Sequence, residues 1–173
     1  MQSHSSMIAQ PQAQNTMDQT LKEIWQDCIR PDMEKYEEIN KALKANLVKA
    51  KSIFDSEKFY DSVYNSDRAT IDNLSLVYNN IRTIALHSDM GIGSGFFDII
   101  SSIEFRINDM FNNQSRDNNF KGYIHNSANN LREKHLALEV KTLTIISDAK
   151  SQCLKEHFSE MVPSSNMRSC VIS

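Results

Sequence analysis

The four residues Cys170-Val171-Ile172-Ser173 carry the most specific chemistry in the sequence. A cysteine followed by two aliphatic residues and a final serine is a C-a-a-X pattern. Its thiol is the acceptor for an isoprenoid thioether, and Ser in the last position selects farnesyl over geranylgeranyl. Residues 162–169 are mostly polar and span up to ~26 Å when extended, enough to thread the cysteine into a deep enzyme site. The expected modification is a covalent farnesyl lipid on Cys170, added by eukaryotic protein farnesyltransferase; no other cofactor is implied. One lipid chain alone holds a protein on a bilayer only with an association constant on the order of 10⁴ M⁻¹, so stable attachment needs a second signal. No polybasic run supplies it, since Arg168 is the one cation near the tail and Cys153 lies well upstream of Cys170. The expectation is therefore that a membrane-resident protein partner supplies the extra affinity, or that the protein cycles between membranes and a soluble prenyl-binding carrier.

Cys153 and His157 stand at i and i+4, a spacing that suits a nucleophile beside a base or two ligands on a metal. Spacing fixes no third ligand or orienting carboxylate, so the sequence predicts a half-buried thiol beside a surface imidazole. Neither a catalytic nor a metal site is expected. Cys28 shares an apolar stripe with Trp25 and reads as core packing. Three distant cysteines with no CxxC pair and no zinc-finger spacing disfavour a disulfide framework and a structural zinc. His87, His125 and His135 are isolated. The cluster Gly91-Ile92-Gly93-Ser94-Gly95 opens a helix and could offer N–H groups to an anion. With no strand before it and no Lys-Ser/Thr after it, it reads as a C-cap and interhelix turn with Ser94 near the next N-cap.

Helices must position these residues. Residues 1–16 are Gln- and Ser-rich without periodicity and are expected to form a disordered tail. Met17, Leu21, Ile24, Trp25 and Cys28 then mark one stripe of an amphipathic helix that Pro31 is expected to stop. Pro31 suits the first turn of the next helix, which carries Met33, Tyr36, Leu43, Leu47, Ala50 and Phe54 to a break at Asp55-Ser56. A short helix with Phe59, Tyr60, Val63 and Tyr64 precedes the turn Asn65-Ser66-Asp67. A long one over about 68–87 follows, with Ile71, Leu74, Tyr78, Ile81, Ala85 and Leu86 as its buried face. The next begins at Phe96 and runs through Phe97, Ile100, Ile103, Ile107, Met110 and Phe111. After a polar loop over 112–119, a last helix reaches about Met161, with Leu131, Leu138, Ile145 and Ala149 at heptad-like intervals. The predicted fold is all-α, a bundle of about four to six helices over residues 17–161. Residues 162–173 form a flexible linker and the C-a-a-X motif. Trp25, Leu43, Leu74, Ile81, Ile100, Ile103, Leu138 and Ile145 are the predicted core.

Composition narrows the function further. With 40% hydrophobic residues, 4 Gly and 3 Pro, the chain is too apolar for wholesale disorder and too poor in turn residues for a many-stranded β fold. Its net charge of -3 lacks the cationic excess that phosphate-backbone binding requires, which argues against a nucleic-acid partner. The N-terminus shows no Sec signal peptide, and no segment approaches a membrane span of ~18 apolar residues.

A prenylation motif on a Lys-, Asn-, Ile- and Ser-rich helical chain resembles the host-prenylated effectors that intracellular bacteria inject into eukaryotic cells. The resemblance covers residues 170–173 and the general composition. It implies secretion into a host cell, farnesylation by host enzymes and a peripheral position on the cytosolic face of a host organelle membrane, where the bundle engages a protein partner. The layout also resembles a lipid-anchored SNARE, with a long last helix running toward the anchor, and SNARE mimicry is the second reading. Lys134, His135 and Thr142 interrupt the apolar seam that such zipping needs. A small enzyme using Cys28 or Cys153 as nucleophile is the third.

Overall fold

The structure, a computed structural model, describes residues 9–112 and 119–159. Among them six α-helices and one π-helical turn succeed each other without a strand, so the fold is all-α as the periodicity predicts. These are α1 (Ala9–Ile24), a π-turn (Trp25–Ile29), α2 (Arg30–Phe54), α3 (Phe59–Tyr64), α4 (Arg68–Leu86), α5 (Ser94–Asn112) and α6 (Phe120–Ser159). They group into two compact units. One joins the described residues up to Glu37 with those from Asp148, and the other is Glu38–Ser147.

In the first unit α1 begins at Ala9, ahead of the expected Met17. Pro11 lies in its first turn, where the missing N–H has no intrahelical acceptor to lose. Pro31 does not stop the helix. In regular α geometry its ring would meet the carbonyl of Asp27. The chain widens instead into the π-turn, where the Arg30 N–H reaches back to the Trp25 carbonyl, and helix resumes at once as α2. This turn buries Cys28 and Ile29. Trp25, predicted to be core, is 48% exposed, and Met17 and Leu21 of the same stripe, ahead of the π-turn, are exposed with it.

The core of the second unit is built from helix faces with regular spacing. α2 contributes Leu43, Leu47, Ala50 and Phe54, α4 contributes Ile71, Leu74, Tyr78, Ile81 and Ala85, and α5 contributes Phe96, Ile100, Ile103, Ile107 and Met110, all buried. Each buried Leu, Ile, Phe or Met among them stabilises the fold by roughly 1.5–3 kcal/mol relative to exposure. Leu86 is 62% exposed, one position past the stripe that ends at Ala85. Along α6 the buried line runs through Ala128, Leu131, His135, Leu138, Thr142 and Ile146. Ile145, predicted from a heptad, is half-buried and Ile146 takes its place. A straight helix drifts ~20° per seven residues, so a strict repeat of seven walks off the seam.

The turn between α3 and α4 is closed by its backbone. Ser66 adopts a left-handed conformation with φ 59, its N–H donates to Val63 O at 3.1 Å, and the Asp67 N–H donates to Ser62 O at 2.7 Å. This is a Schellman closure with serine in place of glycine. Asp67 also caps α4, accepting from the Ala69 N–H at 3.2 Å and the Thr70 hydroxyl at 2.9 Å. Arg82 joins α4 to α5, its guanidinium donating to Glu104 Oε1 and, at 3.0 Å, to Ser101 Oγ. The glycine cluster is an interhelix connection, but its left-handed member, Gly91, lies beyond the C-cap at His87 rather than on it.

Candidate functional site

The predicted lipidation site, Cys170 with Val171, Ile172 and Ser173, lies outside the described residues, as does residue 160 onward. The first unit holds the nearest other candidates. α6 places Cys153 and His157 one turn apart, both buried, so the imidazole expected at the surface is inside. Asp32, from the first turn of α2, is the carboxylate that spacing alone did not supply: the Cys153 thiol donates to its Oδ2 at 3.5 Å. His157 Nδ1 donates to the Cys153 carbonyl at 2.7 Å, which leaves that nitrogen no lone pair for the thiol proton although Sγ lies 3.7 Å away. Burial, then the charge and hydrogen bond of Asp32, push the Cys153 thiol up to about 11. Cys153 is a free cysteine. Cys28 is buried, as its reading as core packing expects, and it is disulfide-bonded, which corrects the expectation that spacing disfavours a disulfide. Among the described residues no group of three or more His, Cys, Asp or Glu side chains converges as metal ligands would. No described helix is long and apolar enough to cross a membrane.

The same unit carries an apolar groove of about 320 Å³. Leu21 and Ile24 of α1, Trp25 and Ile29 of the π-turn and Phe158 of α6 line it, with Lys22 and Gln26 completing the wall. Trp25 at 48% and Phe158 at 57% exposure are large aromatics left in water beside it. The periodicity located Leu21, Ile24 and Trp25 on one stripe but assigned that stripe to the core. Phe158 was not singled out, since it lies off the seam of α6.

The second unit has a different pocket, about 450 Å³, where Tyr60, Asp61 and Tyr64 of α3 face Lys121, Ile124 and His125 of α6. Tyr60 and His125 stack with ring centroids 6.1 Å apart. Arg132 braces its rim: Nε donates to Asp55 Oδ1 at 3.0 Å, Nη2 to Phe54 O at 3.1 Å and Nη1 to the Tyr60 hydroxyl at 3.2 Å. The guanidinium therefore serves as a C-cap for α2 from another helix. Deeper in, the Tyr78 hydroxyl lies 2.7 Å from His135 Nδ1, and His135 Nε2 lies 3.0 Å from Glu139 Oε1. Thr142, also on the seam, donates to Leu138 O at 2.7 Å. His135 and Thr142, two of the three polar interruptions of the apolar repeat, are thus satisfied inside the unit. No signal short of the fold pairs His135 with Tyr78, which is 57 residues away in the chain.

No family model, no curated protein and no solved structure matches the chain.

Proposed function

We propose that the chain is a lipid-anchored helical interaction protein, farnesylated at Cys170 by a host farnesyltransferase and engaging a protein partner on the cytosolic face of a host organelle membrane. The reading includes delivery into that host by a bacterium. In the modifying step the Cys170 sulfur, held as a free thiol by the thiol reductants of a eukaryotic cytosol, attacks the isoprenoid carbon of farnesyl diphosphate. A C–S bond forms, the C–O bond to diphosphate breaks, the thiol proton leaves to solvent and diphosphate departs.

The observation that carries the reading is the exposed pair Trp25 and Phe158 beside an apolar groove, on the unit whose last described residue, Ser159, leads into the tail. Large aromatics kept in water beside a concavity mark a surface used for association. The competing readings fit less well. A thiol at about 11 is ionised in only about one molecule in ten thousand at pH 7, which is poor preparation for a Cys153 nucleophile. SNARE-like zipping would draw Leu131, Leu138 and Ile146 of α6 out of the packing that buries them.

The test is expression in a eukaryotic cell, followed by mass analysis of the C-terminal peptide under non-reducing conditions. A farnesyl mass on Cys170, lost with a farnesyltransferase inhibitor, is the expected result. An unmodified peptide, or one disulfide-linked to the peptide that holds Cys28, overturns the proposal.

A further inference from the structure

We infer that the groove formed by Leu21, Ile24, Trp25, Ile29 and Phe158 is a seat for the isoprenoid carried on Cys170, so that the protein shields its own anchor; the inference rests on the lipidation reading above. The volume of about 320 Å³ is at the lower end of small-ligand sites, roughly 300–1,000 Å³, and suits one apolar chain, which a partner that engages Trp25 and Phe158 would displace. The lining chemistry also selects the occupant. A peptide strand laid into a groove with so few polar groups would leave its own N–H and C=O groups unpaired, whereas an isoprenoid has none to satisfy. Its branched methyl groups can pack against the faces of Trp25 and Phe158.

Reach is sufficient. Phe158 lines the groove and adjoins Ser159, and Cys170 lies eleven residues beyond Ser159. At ~3.3–3.6 Å per residue the tether extends up to roughly 40 Å, long enough to turn back. Self-shielding also accounts for the missing second membrane signal. A lone lipid chain binds bilayers with an association constant on the order of 10⁴ M⁻¹, so a seat that is filled about nine-tenths of the time or more lowers that affinity at least about tenfold until a partner displaces the lipid. Membrane attachment then reports the partner's presence.

Trp25 is the sole tryptophan in the chain and a wall of the groove, so its fluorescence reads the seat directly. Unprenylated full-length protein is titrated with N-acetyl-S-farnesylcysteine below its micelle concentration, with N-acetylcysteine as the control. The expected result is a saturable blue shift of Trp25 emission with the farnesyl compound only. Apparent affinity should fall at least tenfold in Leu21→Asp and in Phe158→Asp; both positions are exposed, and circular dichroism confirms the fold. In prenylated protein, Phe158→Asp should raise the vesicle-bound fraction. The inference is overturned by no saturable shift, by equal binding in both variants, or by a Trp25 shift that follows protein concentration and so reports a second copy. The titration does not need lipid on Cys170: failure here with farnesyl found in cells removes the seat alone. A seat that binds the probe while cells leave Cys170 unmodified removes the lipidation reading, and the assignment of the Cys170 lipid to the seat with it.

Discussion

The Tyr78 hydroxyl and His135 Nδ1 meet at 2.7 Å inside the second unit, with Glu139 on the far side of the imidazole. An ionised Glu139 can only accept, so Nε2 carries the proton and Nδ1 accepts from the Tyr78 O–H. This fixes the neutral tautomer. Burial holds the His135 pKa below the ordinary histidine value; Glu139 and Asp55 act upward and Lys51 downward, but burial prevails.

A pH dependence follows from that shift. Below about pH 6.5 the unfolded chain takes up a proton that folded His135 resists, so the unfolded state binds more protons and stability falls as the pH drops through the window beneath 6.5. Above that window the contribution is complete. Urea unfolding at pH 7 and pH 5 should show the loss, and the double variant Tyr78→Phe/His135→Leu should show less of it. An equal loss in the double variant would assign the dependence to other groups. Tyr78→Phe alone should cost ~1–3 kcal/mol at pH 7, because it leaves Nδ1 buried without a donor.

Ser66 offers a stabilising change. A non-glycine residue in the left-handed region costs roughly 1–2 kcal/mol, and glycine removes that strain while giving back some unfolded-state entropy. Ser66→Gly should therefore raise stability by up to ~1 kcal/mol. A lower thermal midpoint would show that the serine side chain contributes more than its backbone costs.

These two sites also show what the sequence can express. Periodicity of 3.6 placed α2, α4 and α5 and most of their core, since Leu43, Leu74, Ile81, Ile100 and Ile103 each fall on an uninterrupted apolar stripe. It failed where phase alone does not decide burial. Trp25 keeps the α1 stripe with Met17 and Leu21 yet stays in water with them, and the drift of α6 exchanged Ile145 for Ile146. His135 and Thr142 looked like faults in the seam because their partners, Tyr78 and a backbone carbonyl, are assigned only by the tertiary fold. Asp32 was likewise far in sequence from Cys153. The groove was half legible: its stripe was visible, but periodicity does not tell an exposed stripe from a buried one, and the far wall is Phe158.

Cys153 should alkylate slowly. With its thiol at about 11, the iodoacetamide rate at this residue should rise roughly tenfold per pH unit from pH 7 to pH 10, read as modified peptide by mass. Asp32→Asn removes the charge that holds the proton on sulfur and should raise the rate at fixed pH. Fast, pH-independent modification between pH 7 and 9 would mean that an ionised sulfur is stabilised there, and the nucleophile reading would return.

The last prediction concerns the anchor. A serine at position 170 cannot form the thioether, so Cys170→Ser made in a eukaryotic cell should shift the protein from membranes to cytosol while far-UV circular dichroism stays helical. Because no polybasic run assists the lipid, the attraction that remains is apolar and is not screened. Polybasic contacts, by contrast, lose their reach as the screening length shrinks to ~10 Å at 0.1 M salt. Wild-type membrane association should therefore survive a salt wash that strips a polybasic-anchored protein. If the groove holds the lipid, Cys170→Ser should also leave Trp25 more exposed than in the prenylated wild type, so its emission should move to the red. Membrane association that persists in Cys170→Ser would mean that the body itself binds, and the exposed aromatics Trp25 and Phe158 would be the first residues to test for that contact.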